Sequence, residues 1–443
     1  MSNKIQIIKE KLKLAIAQLC STSWMFVKDP HRDFTRDRIL PLHQVISILL
    51  CMEGGSLTGE LLRYFNCSRY SPSSSAFIQQ RQKINEFAFP SLFSLFVKYT
   101  DKDGLYKGYR LLAADGSDIQ IPTDSKHTAS YFPGANGQSP YNLLHLDAVY
   151  DLLQHTYLDA EVCGRRNLDE RRTLCKMVDC SHIANALIIA DRGYESYNLM
   201  AHIQEKGWKF LIRIKDISSS SGIISALELP DTDEFDFYCP IQLTRRRKTE
   251  TLPLFAHKNH YKWIGTSTPL DYLPTGSRKH DPIAFYHLPF RVVRFKLSDS
   301  SYETVITNLD AENFPPEELK HLYGMRWGIE TSFRELKYTV GLLHFHAKKV
   351  ENITQEIYAR LIMYNFSELI TSHVVIQKFE RKHPCKANFS VAVQVCRQFL
   401  LGNISPPDVE AAISRNVSVI RTGRSNPRNM VVKHAVSFLY RVA

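Results

Sequence analysis

The stretch YGMRWGIETSFRELK, from Tyr323 to Lys337, constrains this chain more than any other because one regular conformation sorts it by chemistry. Wound as a helix at about 100° per residue, Leu322, Met325, Ile329, Phe333, Leu336 and Val340 fall within a sector about 80° wide, the stripe of a helix that covers a core. On the far side Tyr323, Arg326, Glu330, Arg334 and Lys337 gather in a second sector of about 80°. One carboxylate therefore stands among three cations and a phenol. The plain alternative is a solvated face with Arg326–Glu330 as an i,i+4 pair. The same winding sends Glu335 about 120° from Tyr323, away from both sectors, as a surface acid.

Two further acids change the weight of that helix. RLLAADGSDIQIP carries Asp115 after an apolar run, and NALIIADRGYES carries Asp191 at the end of the strand-like run Ala186 to Ala190. Gly116 and Gly193 follow them and read as turns where buried strands leave a sheet. An isolated Asp-Gly is ordinarily only a turn. Two strand-borne acids and one helix-borne acid are together the hard oxygen set for two divalent ions roughly 3.5–4 Å apart, as phosphoryl transfer requires.

Tyr323, Arg326, Glu330 and Lys337 match without a gap the signature Tyr-x-x-Arg-x-x-x-Glu-x-x-x-x-x-x-Lys. With Asp115 in DGS, Asp191 in DRGY and the lead-in ETVITNL from Glu303 to Leu309, residues 105 to 370 resemble the DDE transposases of the insertion-sequence-four family. The resemblance implies an α/β fold: an RNase H-like catalytic core, a β-rich insertion between the second Asp and the Glu, and a helical N-terminal domain. It implies Asp115, Asp191 and Glu330 as catalytic residues and ligands of two Mg²⁺ ions, with Mn²⁺ as a substitute. It implies cut-and-paste transposition by a homodimer acting on double-stranded DNA, at terminal inverted repeats and target, with a hairpin end as the strand-transfer route. Arg326 as a fork donor and Lys337 as a point charge suit phosphate oxygens, with Tyr323 and Arg334 beside them. A transposase-derived DNA-binding protein without catalysis, or an RNase H-like structure-specific nuclease, are the competing readings.

Charge agrees without deciding. Lys and Arg number 56 against 45 Asp and Glu, a formal +11 with pI near 9.1, which suits a polyanionic partner and many ordinary proteins alike. MSNKIQIIKEKLKLAIAQL is charged throughout, unlike a signal peptide, and the apolar run Val45 to Met52 is too short to span a bilayer. The expectation is a cytoplasmic, nucleoid-associated protein with no membrane partner. The nine cysteines include no C-x-x-C pair, and Cys175, Cys180 and His182 fit no structural zinc spacing, so reduced thiols are expected.

Residues 1–104 read as a helical, DNA-binding N-terminal domain, with periodicity at Ile5–Leu19, Leu42–Met52, Leu57–Phe65 and Ala76–Phe96 and with Arg81 and Lys83 available to grip DNA. Residues 105–217 read as three strands, a helix, a strand, a helix and a strand, the first part of the core, with the first and fourth strands side by side. Residues 218–305 lack a helical period; FDFYCPIQL, KTETLPLFA, YKWIGTS and IAFYHLPFRVVRFKL read as strands of the insertion. The run Arg245 to Lys248 reads as a solvated loop or a phosphate contact, and Trp208 and Trp263 as core or base-stacking residues. Residues 306–375 complete the core, and 376–443 form a helical and basic tail in which Arg421, Arg424 and Arg428 are set to lie along a phosphate backbone.

Overall fold

The computed structural model describes residues 2–36, 39–102, 104–134, 137, 139–217, 219–276, 282–298, 301–376 and 384–420; the tail arginines Arg421, Arg424 and Arg428 lie outside the described residues. Helices α1 (Ser2–Ser21), α2 (Leu42–Cys51), α3 (Leu57–Tyr64), α4 (Ser74–Arg81) and α5 (Ala88–Thr100) come first. Ser56 and Ser73 start α3 and α4 by accepting from the N–H groups of Gly59 and Ala76. The period expected to run unbroken from Ala76 to Phe96 is split between α4 and α5, where Ile84 bridges to Val27.

Strands β1 (Arg110–Ile121), β2 (Tyr131–Phe132), β3 (Tyr141–Asp151) and β4 (Thr156–Gly164) follow, then α6 (Glu170–Cys180), β5 (Ala186–Ala190), α7 (Tyr197–Glu205) and β6 (Lys209–Arg213). Apart from the short β2, this is the order read from the sequence. Asp169 and Ser196 cap α6 and α7 through their side chains. Strands β7 (Phe235–Thr244), β8 (Tyr261–Trp263), β9 (Tyr286–Ser298) and β10 (Ser301–Thr307) precede α8 (Pro316–Met325), α9 (Trp327–Glu335) and α10 (Val350–Thr371). The short strands β11 (Cys385–Ala387) and β12 (Val417–Val419) pair with each other around α11 (Phe389–Leu401) and α12 (Pro406–Arg415).

A single mixed sheet of ten strands carries the order β2-β3-β1-β5-β6-β10-β9-β7-β8, with β4 on β3. β1 is antiparallel to β3 and parallel to β5, and β5 is parallel to β6. Residues of β5 are buried throughout, as a parallel strand requires when helices cover both faces. Side chains alternate across β1 and β5. Leu111, Ala113, Leu187 and Ile189 enter a core shared with α1, α2, α5, α9, α10 and α11, while Leu112, Ala114, Ile188 and Ala190 enter a second core under α6 and α7. The N-terminal helices thus share one continuous core with the C-terminal ones.

Several expectations for the flanks and the 218–305 segment give way. KTETLPLFA is not a strand; it holds a short 3-10 turn, Leu252–Ala256, with Pro253 in place of a ladder donor. Arg245 is neither solvated nor poised for phosphate, because its guanidinium donates to the carbonyls of Gly265, Thr268, Leu270 and Leu273. Trp263 donates to the Arg245 carbonyl with Arg247 over its ring, and Trp208 is a core residue bonded to the Ile183 carbonyl. Arg81 is likewise no DNA contact. It is buried, with Nη1 2.7 Å from Glu356 Oε1 and Nε 2.9 Å from Gln355 Oε1, and it ties α4 to α10.

Burial raises the Glu356 carboxyl, but Arg81 and His346 outweigh it and hold the group down to about 2. Because the folded-state value is depressed, its stabilisation is full above the ordinary range near 4.5 and is lost as pH falls towards 2. Arg81→Leu leaves that carboxylate buried without its closest cation and should cost about 3 kcal/mol at pH 7. Urea midpoints for wild type and variant should converge as the pH is lowered through 4; an unchanged midpoint at pH 7 contradicts this role.

Candidate active site

The parallel register pairs Ala114 with Ala190, so Asp115 and Asp191 both follow paired positions of adjacent strands although 76 positions (191 − 115) separate them. Asp115 shares the parity of Leu111 and Ala113 and faces α9, which packs on β1 through Ile329 and Phe333. Glu330 lies in the first turn of α9. Arg326 joins the acids: its Nη2 is 2.5 Å from Glu330 Oε1 and its Nη1 3.7 Å from Asp115 Oδ2. Gly116 N–H donates to Asp115 Oδ1 at 2.9 Å, and Gly193 N–H to Asp191 Oδ1 at 2.7 Å. Burial raises the Asp115 carboxyl to about 6; Asp191 and Glu330 add to the rise, while Gly116 N–H and Arg326 oppose it.

The stretch 323–337 is not one straight helix. It breaks at Arg326, where Arg326 N bonds to Tyr323 O and Ile329 N to Arg326 O in three-residue steps, and it continues after α9 as a π turn over Leu336–Val340. The apolar stripe survives: Leu322, Ile329, Phe333, Leu336 and Val340 are buried, and Met325 packs against them. Tyr323 and Arg326 are buried beside each other, Arg334 is exposed, and Lys337 Nζ donates to the Asp118 carbonyl of β1 at 2.9 Å. Glu335 departs from expectation. It is half-buried with one oxygen 3.5 Å from the Tyr364 hydroxyl and the other 4.0 Å from Lys386, because α10 and β11 cover the side of α9 that a lone helix leaves open. Burial raises the Glu335 carboxyl, and burial with Glu335 nearby raises Glu368 to about 8.

Gly116 is also not a turn. It sits inside β1, and a Cβ there would lie 2.2 Å from His145 Nε2, so the strand needs glycine to let that ring cross it. His145 and Asp147 on β3 stand opposite Asp118 and Gly116, on the face of β1 away from Asp115, where Glu170 of α6 meets them. Sequence reading missed all three, since cross-strand register leaves no local period. It also missed a cleft of about 740 Å³ beside Asp191 lined by Arg171, Arg172, Arg192, Lys215 and Lys262. Arg192 in DRGY and Arg171-Arg172 ahead of an apolar run were its visible signals.

Among the described residues, His145, Asp147 and Glu170 form the one group of three His, Cys, Asp or Glu side chains whose ligand atoms lie within 4.8 Å of one another. The oxygens of Asp115, Asp191 and Glu330 are spread more widely. No described helix is long and apolar enough to cross a membrane.

A family model described as Transposase DDE domain matches residues 106–366. The chain is 23% identical over 336 residues to Transposase InsG for insertion sequence element IS4 of Escherichia coli (strain K12), covering 74% of this chain and 65% of that relative, just under two thirds of its length. It is 20% identical over 337 residues to the transposase for insertion sequence element IS1151 of Clostridium perfringens, covering 68% of each. A solved piggyBac transposase synaptic complex with hairpin DNA is similar at a TM-score of 0.44 and 11% identity, covering 91% of this chain and 79% of that one.

The raised Asp115 carboxyl makes a sign-specific prediction. A carboxyl held above its ordinary range favours the folded state only while protonated, so metal-free protein loses stability as pH rises from about 4 through about 6. Asp115→Asn keeps an acceptor for Gly116 N–H without the charge. In EDTA it should raise stability at pH 8 by about 1–3 kcal/mol and change it little at pH 4. Thermal unfolding at both values checks this; a variant destabilised at pH 8 contradicts it.

Proposed function

The chain belongs to the transposase DDE-domain family, and we propose from that premise that it is a transposase that cuts and rejoins DNA through Asp115, Asp191 and Glu330. The observation that carries the proposal is the meeting of Asp115 within β1, Asp191 just past the end of the neighbouring β5 and helix-borne Glu330, with Arg326 between Asp115 and Glu330. The order β4-β3-β1-β5-β6, with its antiparallel first half and parallel second half, supports an RNase H-like core, and β7 to β10, which extend the same sheet, support the reading of a β-rich segment between the second Asp and the Glu.

The donor set fits divalent metal. It is oxygen only, it strains against its own charge at Asp115, and it is spread more widely than one small ion requires. When bound, two Mg²⁺ ions, or Mn²⁺ in their place, supply Lewis-acid charge at the attacking and leaving oxygens of an in-line displacement at phosphorus.

The remaining groups position DNA. Arg326, already 3.7 Å from Asp115, offers a planar fork to a phosphate at the reacting end. Tyr323 stands beside it, its buried hydroxyl without a hydrogen-bond partner of good geometry among the described residues. Burial lowers the Lys337 ammonium and holds it against β1, and Arg334 faces solvent for a more distant phosphate. Arg171, Arg172 and Arg192 line a path for the strand beyond Asp191, and the tail residues Arg421, Arg424 and Arg428 add backbone contacts. In this reading a homodimer in the cytoplasm, at the nucleoid, binds terminal inverted repeats and target DNA. Water cleaves the end first, and the freed 3′-hydroxyl then attacks a second phosphodiester, with the opposite strand as the hairpin route.

Single-turnover cleavage of a labelled duplex carrying the inverted repeat that flanks the gene tests this. Mg²⁺ or Mn²⁺ should support cutting, and Ca²⁺, with its looser geometry, should support binding with little cutting. Asp115→Asn, Asp191→Asn and Glu330→Gln should each abolish cleavage while gel-shift affinity falls little. Robust cutting in EDTA, or by Glu330→Gln, overturns the proposal. Replacing Arg421, Arg424 and Arg428 together by Ala should weaken binding and flatten its salt dependence, and an unchanged slope would remove the tail from the interface.

A further inference from the structure

His145, Asp147 and Glu170 lie back to back with the proposed catalytic acids, separated from them by the thickness of β1. His145 and Asp147 side chains are each only 4% exposed, whereas Glu170 is 31% exposed and opens the cluster to solvent. His145 Nδ1 lies 2.6 Å from Asp118 Oδ1, and Arg165 Nε holds the same oxygen at 2.9 Å. An anchored carboxylate at Nδ1 keeps a proton there, so that the proton a metal ion would displace is the one on Nε2, the arrangement by which an outer carboxylate prepares a histidine for metal.

What faces Nε2 is more telling. Asp147 Oδ1 is 3.4 Å away and Glu170 Oε1 3.3 Å, yet Nε2 and both Asp147 oxygens are buried without a hydrogen bond. Three electron-pair donors facing one another at that spacing repel unless a proton on Nε2, or a metal ion in its place, sits between them. Ligands about 2.1 Å from a tetrahedral ion lie about 3.4 Å from one another, which is the separation seen from Nε2 to each carboxylate.

We propose that His145, Asp147 and Glu170 form a second metal site that takes one divalent transition-metal ion of the Mn²⁺ or Zn²⁺ class. One nitrogen and two carboxylates suit these ions better than Mg²⁺ or Ca²⁺, which prefer all-oxygen shells. The ion would tie β3 to the start of α6, and His145 carries that link on to Asp118 of β1, behind Asp115. Glu170 also reaches the Asp191 turn: a Cβ at Gly193 would lie 3.6 Å from Glu170 Oε2 and 3.0 Å from Asp191 Oδ1. The site is therefore a positioning device for the middle of β1 and the turn after β5, which carry the two aspartates.

The test uses the full chain with Asp115→Asn and Asp191→Asn, which disables the all-oxygen site. Mn²⁺ titration followed by electron paramagnetic resonance should show one bound ion per chain with nitrogen hyperfine coupling, and one equivalent of Zn²⁺ should displace it. Adding Asp147→Asn and Glu170→Gln should remove the ion and the coupling while circular dichroism and the melting profile show a folded protein. Wild type loaded with Mn²⁺ provides a second readout that needs no variant: the same nitrogen coupling, absent after His145→Gln. A bound ion coupled only to oxygen, or no ion in the first variant, overturns the proposal and leaves the cluster as an ion-pair network around an imidazolium.

Discussion

Negative charge concentrated on one strand is the constraint on which the rest of this structure depends. β1 carries Asp115 on one face, and Asp118, with Asp147 and Glu170 beside it, on the other, while Asp191 emerges from the next strand. Such a cluster of acids in the interior of a sheet is stable only if cations divide the charge. Arg326 does so on the α9 face, between Asp115 and Glu330, and Arg165 does so at Asp118 on the α6 face. The apolar interior supplies the force that holds these groups together: both faces of β1 and β5 are sealed by helices, and the two cores fix the register that sets the acids side by side.

The break in the signature helix belongs to the same arrangement. A straight helix would carry Arg326 along with its neighbours; the tightened turn at Arg326 buries the guanidinium between Tyr323 and Glu330 while Ile329 and Phe333 remain in the core. The π turn after Glu335 ends at Gly341, whose φ of +98° suits glycine, and it leaves Lys337 against the Asp118 carbonyl. A cationic rim is thereby built onto β1 itself, and binding of a polyanion and placement of the acids share one scaffold.

Much of this was legible in sequence for a physical reason: local periods encode which face of an element is buried. The apolar run ending at Asp191 named its strand, and the 3.6-residue stripe of 322–340 named the buried face, though not the break at Arg326 or the π turn after Glu335. What failed were properties set by a distant partner. Gly116 looked like a turn because its reason for being glycine, the His145 ring, comes from another strand. Glu335 looked exposed because α10 and β11 arrive later in the chain, and Arg81 looked like a DNA contact until Glu356 was placed beneath it. The His145, Asp147 and Glu170 group had no period to find, since only the register of β1 with β3 and the landing of α6 bring it together.

The account's central claim is that Asp115, Asp191 and Glu330 hold two divalent ions on the α9 face of β1. Anomalous diffraction from crystals of the protein with end DNA and Mn²⁺ tests it most directly. The account predicts two manganese peaks roughly 3.5–4 Å apart among those three carboxylates. Manganese bound elsewhere, with no peak touching Asp115, Asp191 or Glu330, would contradict it.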